Sequence, residues 1–220
     1  MLCEESTQYL KGLIKEEVLV PAKMERFEAL FCGSRIKKCT CTSCADGDRI
    51  GLILERLYHT SGTRNIHPLT THGGVLAIYP DTPLLVGRGY SNEIIKYHLE
   101  DIMLAQTELE KGKIHLSLMH FPCGAAKKVG LTALEQFQLY FTAIEYNLSV
   151  LEIDRKNFLT PVHIEWRRCI KSDQSEDGLY IFKKTPWIEY CKNRGIPPTL
   201  DVHAFNQKRF GTAVSFPVAA

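Results

Sequence analysis

Two short segments of the chain contain side chains that could bind a metal ion. The first contains Cys44, and the second contains His120 and Cys123, which are three residues apart. A histidine and a cysteine at this spacing on a turn can both point at one centre. Cys44 would complete a Cys2His set that zinc accepts, with Zn–S bonds of about 2.3 Å. Three protein ligands leave a fourth position for water, which is typical of a catalytic zinc site, so we expect Cys44, His120 and Cys123 to bind zinc.

Two charged residues after Cys44 are the candidate catalytic residues. Asp46 lies two residues after Cys44, where its carboxylate could hold or replace the water on the zinc. Arg49 could keep Asp46 ionised and oriented through a fork-shaped ion pair. The alternative is that Asp46 only forms the turn and that Arg49 is a solvated charge. Asp48 is expected to be a turn residue or the N-cap of the following helix.

Two further cysteines leave the type of zinc site open. Cys39 and Cys41 would share one face of a strand, whereas Cys44 would lie beyond the strand in the turn. We therefore expect Cys39 and Cys41 to pack in the core. If one of them reached the zinc, the site would be a closed, structural Cys3His site. The chain would then be a non-catalytic, zinc-stabilised binding or regulatory module.

Hydrophobic patterning predicts the elements that must position these residues. Strands are predicted over residues 37–44, 74–79, 114–119, 162–169 and 179–183, and helices over residues 51–58, 91–110 and 132–148. This alternation favours an α/β fold with a central, mostly parallel β-sheet flanked by helices. Ligands of such sheets collect at the carboxyl ends of the strands, and both Cys44 and His120 fall there.

Three surface or packing patterns complete the prediction. Ser91 and Thr132 are the expected N-caps of the two longer helices. The first of these helices should bury one apolar stripe, which comprises Ile94, Ile95, Leu99, Ile102, Met103 and Leu109. His163, Glu165 and Arg167 alternate along one strand, which indicates a solvated or interface face.

We expect three regions along the chain. Residues 1–35 should form an N-terminal helical arm, with two short helices broken near Pro21. Residues 36–185 should form the α/β zinc-binding domain. Residues 186–220 should form a C-terminal extension, with a short helix over residues 187–192, that packs on this domain or on a partner subunit because its apolar residues would be costly to expose.

Composition excludes several classes of protein. A chain of 220 residues can bury a core without disulfides, so its eight cysteines are not needed as staples. Because 27 basic and 25 acidic residues give a net charge of only +2, we expect no binding to nucleic acid or membranes. The longest apolar runs are far shorter than a bilayer requires, and the first residues do not resemble a signal peptide. We therefore expect a soluble, cytoplasmic protein that acts on a small molecule.

The two metal-binding segments resemble those of the β-class carbonic anhydrases. Cys44 and Asp46 match the Cys-x-Asp-x-Arg turn of that family, and His120, Cys123 and Gly124 match its His-x-x-Cys-Gly motif. Arg49 lies five residues after Cys44, where the family pattern places arginine at four. A looser similarity of pattern extends over residues 39–183.

The resemblance implies a homodimeric α/β zinc enzyme that hydrates CO2 reversibly to bicarbonate through a zinc-bound hydroxide. It also implies that Asp46 accepts a hydrogen bond from that hydroxide while Arg49 holds Asp46, or that Asp46 itself binds zinc and closes the site. A hydrolase of a related small electrophile, such as carbon disulfide, would use the same site. Two thiolates neutralise the zinc charge, so we expect the pKa of the bound water to exceed that of a three-histidine site and activity to rise toward alkaline pH.

Overall fold

The computed structural model describes residues 4–23, 38–62, 65–107, 114–166 and 178–211, and the side chains of residues 47–49 lie outside the description. Eight strands occur in these ranges. They are β1 (Leu19–Pro21), β2 (Cys39–Cys44), β3 (Ile66–Thr71), β4 (His115–Ser117), β5 (Met119–Phe121), β6 (Phe158–Leu159), β7 (Pro161–Ile164) and β8 (Gly178–Phe182).

The strands form two four-stranded sheets. One sheet has the order β3-β2-β4-β6 and is parallel throughout. The other has the order β1-β8-β7-β5, in which β5 and β7 are parallel while β8 is antiparallel to both of its neighbours. The predicted α/β class is therefore confirmed, but the single central sheet of the prediction is divided into two.

The chain passes directly from one sheet to the other at two places, between β4 and β5 and between β6 and β7. His115 lies opposite Phe158 in the first sheet and Met119 lies opposite Val162 in the second, so the register offset is unchanged between them. The break between β4 and β5 falls at Leu118, whose N–H donates to the carbonyl of Thr42 (2.9 Å). The predicted strand over residues 114–119 is thus interrupted there, and residue 120 lies inside β5 rather than after a strand.

Helices surround the sheets. The described residues contain α1 (Glu4–Lys15), α2 (Gly47–Ser61), α3 (Pro83–Val86), α4 (Glu93–Thr107), α5 (Gly124–Lys128), α6 (Ala133–Val150), α7 (Lys184–Asn193) and α8 (Val202–Phe210), with 3-10 helices at Gly74–Ala77 and Arg155–Asn157. The three central helices predicted from the sequence correspond to α2, α4 and α6. Thr132 caps α6 as predicted, because its hydroxyl accepts from the N–H of Glu135 while the Glu135 carboxylate accepts from the N–H of Thr132.

The two faces of β2 belong to different cores. Cys39 and Cys41 are fully buried and pack with Ile53 and Leu57 of α2, as predicted for these two cysteines. Cys44, by contrast, belongs to the larger core, which contains apolar side chains of α4 and α6. This alternation follows from the two-residue period of a strand. It directs Cys44 away from the other two cysteines.

The segment after β3 differs from the prediction. Residues 74–79 do not form a strand; the strand lies earlier, at Ile66–Thr71, where no strand was predicted. The reason is the pair Gly73 and Gly74, whose φ angles of 100° and 58° are incompatible with extended backbone. The apolar residues that follow are buried as a turn of 3-10 helix instead.

The N-terminal region also differs from the expected helical arm. Helix α1 packs into the larger core through Leu10 and Leu13, which are fully buried. Residues 19–21 then form β1, in which Leu19 lies opposite Phe182 of β8. Three parts of the prediction lie outside the described residues. They are the second N-terminal helix, Arg167 on the predicted solvated or interface face, and residues 212–220.

Helix α4 confirms only part of the predicted stripe. Ile95, Leu99 and Ile102 are buried, but Ile94 and Met103 are 37% and 48% exposed. The last residues of the predicted helix, including Leu109, fall outside the described ranges.

No helix among the described residues has both the length and the apolar character needed to span a membrane.

A buried polar network joins α4 to the amino ends of β2 and β4. The His115 imidazole is fully buried between the hydroxyls of Thr40 (2.8 Å to Nδ1) and Thr42 (3.3 Å to Nε2). Gln106 of α4 donates to the same Thr40 hydroxyl (3.3 Å). Burial, together with the nearby His98, lowers the pKa of His115 from 6.5 to about 3. The histidine is therefore neutral in the folded protein at neutral pH.

This network predicts how stability depends on pH. The unfolded chain binds a proton at His115 below about pH 6.5, whereas the folded protein does not until about pH 3. The stabilisation is therefore complete above pH 6.5 and is lost as the pH falls toward 3. Replacing His115 with Gln should reduce the slope of unfolding free energy against pH in this range by up to about 1.4 kcal/mol per pH unit, measured by urea denaturation. The exposed His59→Gln is the control, and an unchanged slope in His115→Gln would contradict the assignment.

Candidate metal centre

The fold brings together the three predicted zinc ligands. The candidate ligand atoms of Cys44, His120 and Cys123 all lie within 4.8 Å of one another. The three residues are only 6%, 2% and 1% exposed. Because Thr42 of β2 lies opposite Ser117 of β4, the last residue of β2 is level with Met119, the first residue of β5, which immediately precedes His120. Cys44 is this last residue, which agrees with the predicted strand over residues 37–44 and not with a position in the turn beyond the strand.

Cys123 reaches the centre from the turn that follows β5. It occupies the N-cap position of α5, with extended backbone angles (φ −88°, ψ 119°). The Phe121–Pro122 peptide bond before it is cis. The backbone N–H groups of Ala125 and Ala126 interact favourably with the charged form of the Cys123 sulfur. This turn therefore supplies both a ligand and hydrogen-bond donors that a thiolate needs.

The turn after β3 holds Cys44. The N–H of Gly73 donates to the Cys44 sulfur (3.3 Å). A Cβ added to Gly74 would lie 2.7 Å from the backbone nitrogen of Cys44, and one added to Gly73 would lie 2.2 Å from Cδ2 of Leu84. Both glycines also have positive φ. Only glycine therefore permits this approach of one backbone to the other. Sequence analysis missed both residues, although consecutive glycines after an extended stretch are a recognisable signal.

The two thiols titrate as a pair. A hydrogen bond from the Cys123 thiol, together with smaller contributions from His120 and the N–H of Gly73, lowers the pKa of Cys44 to about 4 against the opposing effect of burial. The same hydrogen bond to Cys44, together with burial and the charge of Cys44, raises the pKa of Cys123 well above its usual value. One negative charge and one proton are therefore shared between the sulfurs. A bound cation would take the place of that proton and hold both as thiolates.

The predicted catalytic pair is only partly described. Asp46 is the N-cap residue of α2, without a side-chain capping hydrogen bond, and is half-buried. Helix α2 therefore begins earlier than predicted, so Asp46 and not Asp48 is at the N-cap. Asp46 does not belong to the group of ligand atoms that lie within 4.8 Å of one another. The side chain of Arg49 lies outside the description, so the roles of Asp46 and Arg49 stay predictions.

The other cysteines within the described ranges do not join the centre. Among the described residues the close group contains neither Cys39 nor Cys41, so these ranges supply no third thiol for a closed Cys3His site. Cys191 is buried and free in α7. The remaining cysteines, at positions 3, 32 and 169, lie outside the described ranges.

The donor set fits a soft divalent metal ion. Tetrahedral zinc with two Zn–S bonds of about 2.3 Å would place its sulfur ligands about 3.8 Å apart, which is within the observed spacing. Two thiols and an imidazole are also the donor types that soft and borderline metals select. The buried Cys44–His120–Cys123 group could thus bind a metal ion. Its geometry alone does not identify which metal.

Two further polar residues lie buried next to this group. His163 of β7 is opposite His120 in the parallel pairing, and it is fully buried. Glu165, just after β7, is 6% exposed. The prediction that these residues form a solvated or interface face is therefore wrong for His163 and Glu165. The alternating pattern was read correctly as a strand, but it could not show that α/β packing covers both faces.

Comparison of the chain with protein-family models, with curated proteins and with solved structures finds no match. The resemblance to β-class carbonic anhydrases consequently depends on the short motifs around Cys44 and His120.

The tight turn at Gly73 and Gly74 predicts that a side chain at position 74 weakens metal binding. Gly74→Ala should displace Cys44 and weaken Co2+ or Zn2+ binding by at least about tenfold, because the added Cβ meets the Cys44 backbone. The matched control is Gly89→Ala, since Gly89 also has positive φ (69°) but has no atom within 4 Å of the added Cβ. Gly89→Ala should lose about 1 kcal/mol from backbone strain, and Gly74→Ala should lose more because its Cβ also meets the Cys44 backbone, both measured by urea denaturation. Equal metal affinity in the two variants would contradict the positioning role.

The metal centre generates another prediction. Cys44→Ala should lose most of the bound metal, measured by elemental analysis after dialysis, because one of three ligands is removed. Cys41→Ala is the matched control, as Cys41 is equally buried in the same strand but faces the other core. Loss of metal in Cys41→Ala at unchanged unfolding midpoint would show instead that the closed Cys3His site forms.

Proposed function

We propose that this chain is a zinc-dependent enzyme that hydrates CO2 reversibly to bicarbonate. The observation that carries the proposal is the buried group of Cys44, His120 and Cys123 at the carboxyl ends of parallel strands. The same three residues carry the motif spacing of the β-class carbonic anhydrases. Spacing in the sequence and proximity in the fold are separate observations, and they agree on these residues.

The chain's own residues would have distinct tasks. Bound zinc would supply a Lewis acid that makes water nucleophilic near neutral pH. Cys44, His120 and Cys123 would hold the metal, and their count leaves one position open. Asp46, at the N-cap of the adjacent helix, would accept a hydrogen bond and orient the nucleophile. Arg49, three residues later, would keep that carboxylate ionised.

The surroundings of the centre suit a small, neutral substrate. Val75 and Leu76 of the 3-10 helix are fully buried and share the larger core with Cys44 and Cys123. Phe121 and Val129 belong to the same cluster. Such an apolar environment accommodates CO2 or a related electrophile such as carbon disulfide, whereas the burial of all three ligands disfavours large substrates.

The same burial supports a second candidate, a non-catalytic module that zinc stabilises. Structural zinc ions are enclosed by protein and contribute directly to folding free energy. Ligands that are 6% exposed or less are compatible with such a role. The two candidates differ in activity, because a structural zinc lacks an open position.

The experiment is an assay of CO2 hydration by stopped flow with a pH indicator. The zinc-loaded protein should accelerate hydration, and the rate should rise toward alkaline pH because two thiolates reduce the pull of the metal on water. Asp46→Ala should lower kcat by about 10²-fold or more while retaining zinc. Asp201→Ala is the control, since Asp201 caps a distant helix, α8.

Activity that is lost in Asp46→Ala but kept in Asp201→Ala supports the enzyme. Stoichiometric zinc without hydration activity in the parent protein supports the structural module instead. A rate that is flat from acid to alkaline pH would contradict the role of the two thiolates.

A further inference from the structure

We propose that His163 and Glu165 are positioning residues that fix the imidazole of His120 in the metal centre. The inference rests on the metal site of the proposed function, but not on the reaction that the site catalyses.

The strand register places His163 beside His120. In the parallel pairing of β5 with β7, His120 is opposite His163, with Met119 opposite Val162 and Phe121 opposite Ile164 on either side. Partner residues in a parallel ladder project to the same face of the sheet, and neighbouring strands are about 4.8 Å apart. The two imidazoles therefore start from adjacent points on one face.

Glu165 extends the same row. Its N–H donates to the carbonyl of Phe121 (2.9 Å), so the ladder continues past the end of β7. Being two residues after His163, Glu165 starts from the same face. The row of His163 and Glu165 thus runs alongside the segment that carries His120 and leads to Cys123.

The burial of these three polar side chains costs free energy unless they have polar partners. His120, His163 and Glu165 are 2%, 0% and 6% exposed. An imidazole or a carboxylate removed from water must be compensated by polar partners. A core that needed only packing would be more stable with apolar residues at positions 163 and 165. A polar pair here is explained if it serves the neighbouring ligand.

Metal-binding histidines have a known requirement that this pair can meet. The ring nitrogen that does not bind the metal usually donates to a carboxylate or another acceptor, which fixes the ring orientation and raises its basicity. His163 and Glu165 are an acceptor-capable imidazole and a carboxylate beside the one histidine of the described metal group. Loss of such partners typically weakens metal binding by about 10- to 100-fold.

The experiment compares Co2+ binding by the full chain and its variants, measured by chelator competition and by the absorption bands of Co2+–thiolate coordination. His163→Gln and Glu165→Gln should each weaken Co2+ binding by about 10- to 100-fold and shift the absorption spectrum. The matched control is His115→Gln, because His115 is equally buried in β4 but lies at the amino end of the strand. It should keep the parent affinity within about threefold and the parent spectrum.

The Co2+ measurements separate a positioning role of His163 and Glu165 from general destabilisation of the protein. Parent affinity and spectrum in both His163→Gln and Glu165→Gln would overturn the proposal, as would an equal loss in His115→Gln, which would indicate general destabilisation. Tight Co2+ binding that is weakened by these variants, in a parent protein without CO2 hydration, supports the positioning role while the proposed reaction fails. A parent protein that binds no Co2+ overturns both.

Discussion

Close approach of two backbones at the end of β2 is the constraint on which the metal centre depends. The Gly73–Gly74 turn lies against Cys44 so tightly that any side chain at position 74 would meet the Cys44 backbone. The same turn donates an N–H to the Cys44 sulfur. Parallel pairing of β2 with β4 then sets where His120 and Cys123 arrive. The centre is thus built by backbone geometry, with its side chains contributing the chemistry.

The charge on the two cysteine sulfurs indicates what this arrangement can bind. The hydrogen bond between the two sulfurs lowers the pKa of Cys44 and raises the pKa of Cys123, and both residues are almost fully buried. A buried thiolate is costly unless hydrogen bonds or a cation compensate it. Hydrogen bonds from Gly73 and Cys123 supply part of this compensation, and a divalent cation would supply more than either. The cluster could therefore bind a metal ion, which a set of packed core residues would not do.

Much of this arrangement could be predicted from the sequence. The spacing of His120 and Cys123, and the placement of Cys44 at the end of a strand, were sufficient to predict the three clustered residues. The role of Thr132 as the N-cap of α6 could be predicted because a capping box is a local sequence signal. The strand at Ile66–Thr71 was missed, because its polar threonines and histidine lack the apolar alternation of a half-buried strand. The division at Leu118 and the burial of His163 depend on contacts between distant segments, which local pattern does not reveal.

X-ray absorption at the zinc edge counts the sulfur ligands of the metal-loaded protein and so determines whether Cys44 and Cys123 bind the metal. We expect two sulfurs at about 2.3 Å and nitrogen or oxygen ligands at about 2.0 Å, in keeping with Cys44, Cys123, His120 and one open position. Three or more sulfurs would mean that another cysteine completes a closed structural site. A metal with no sulfur ligand would show that neither cysteine binds it and that the proposed centre is wrong.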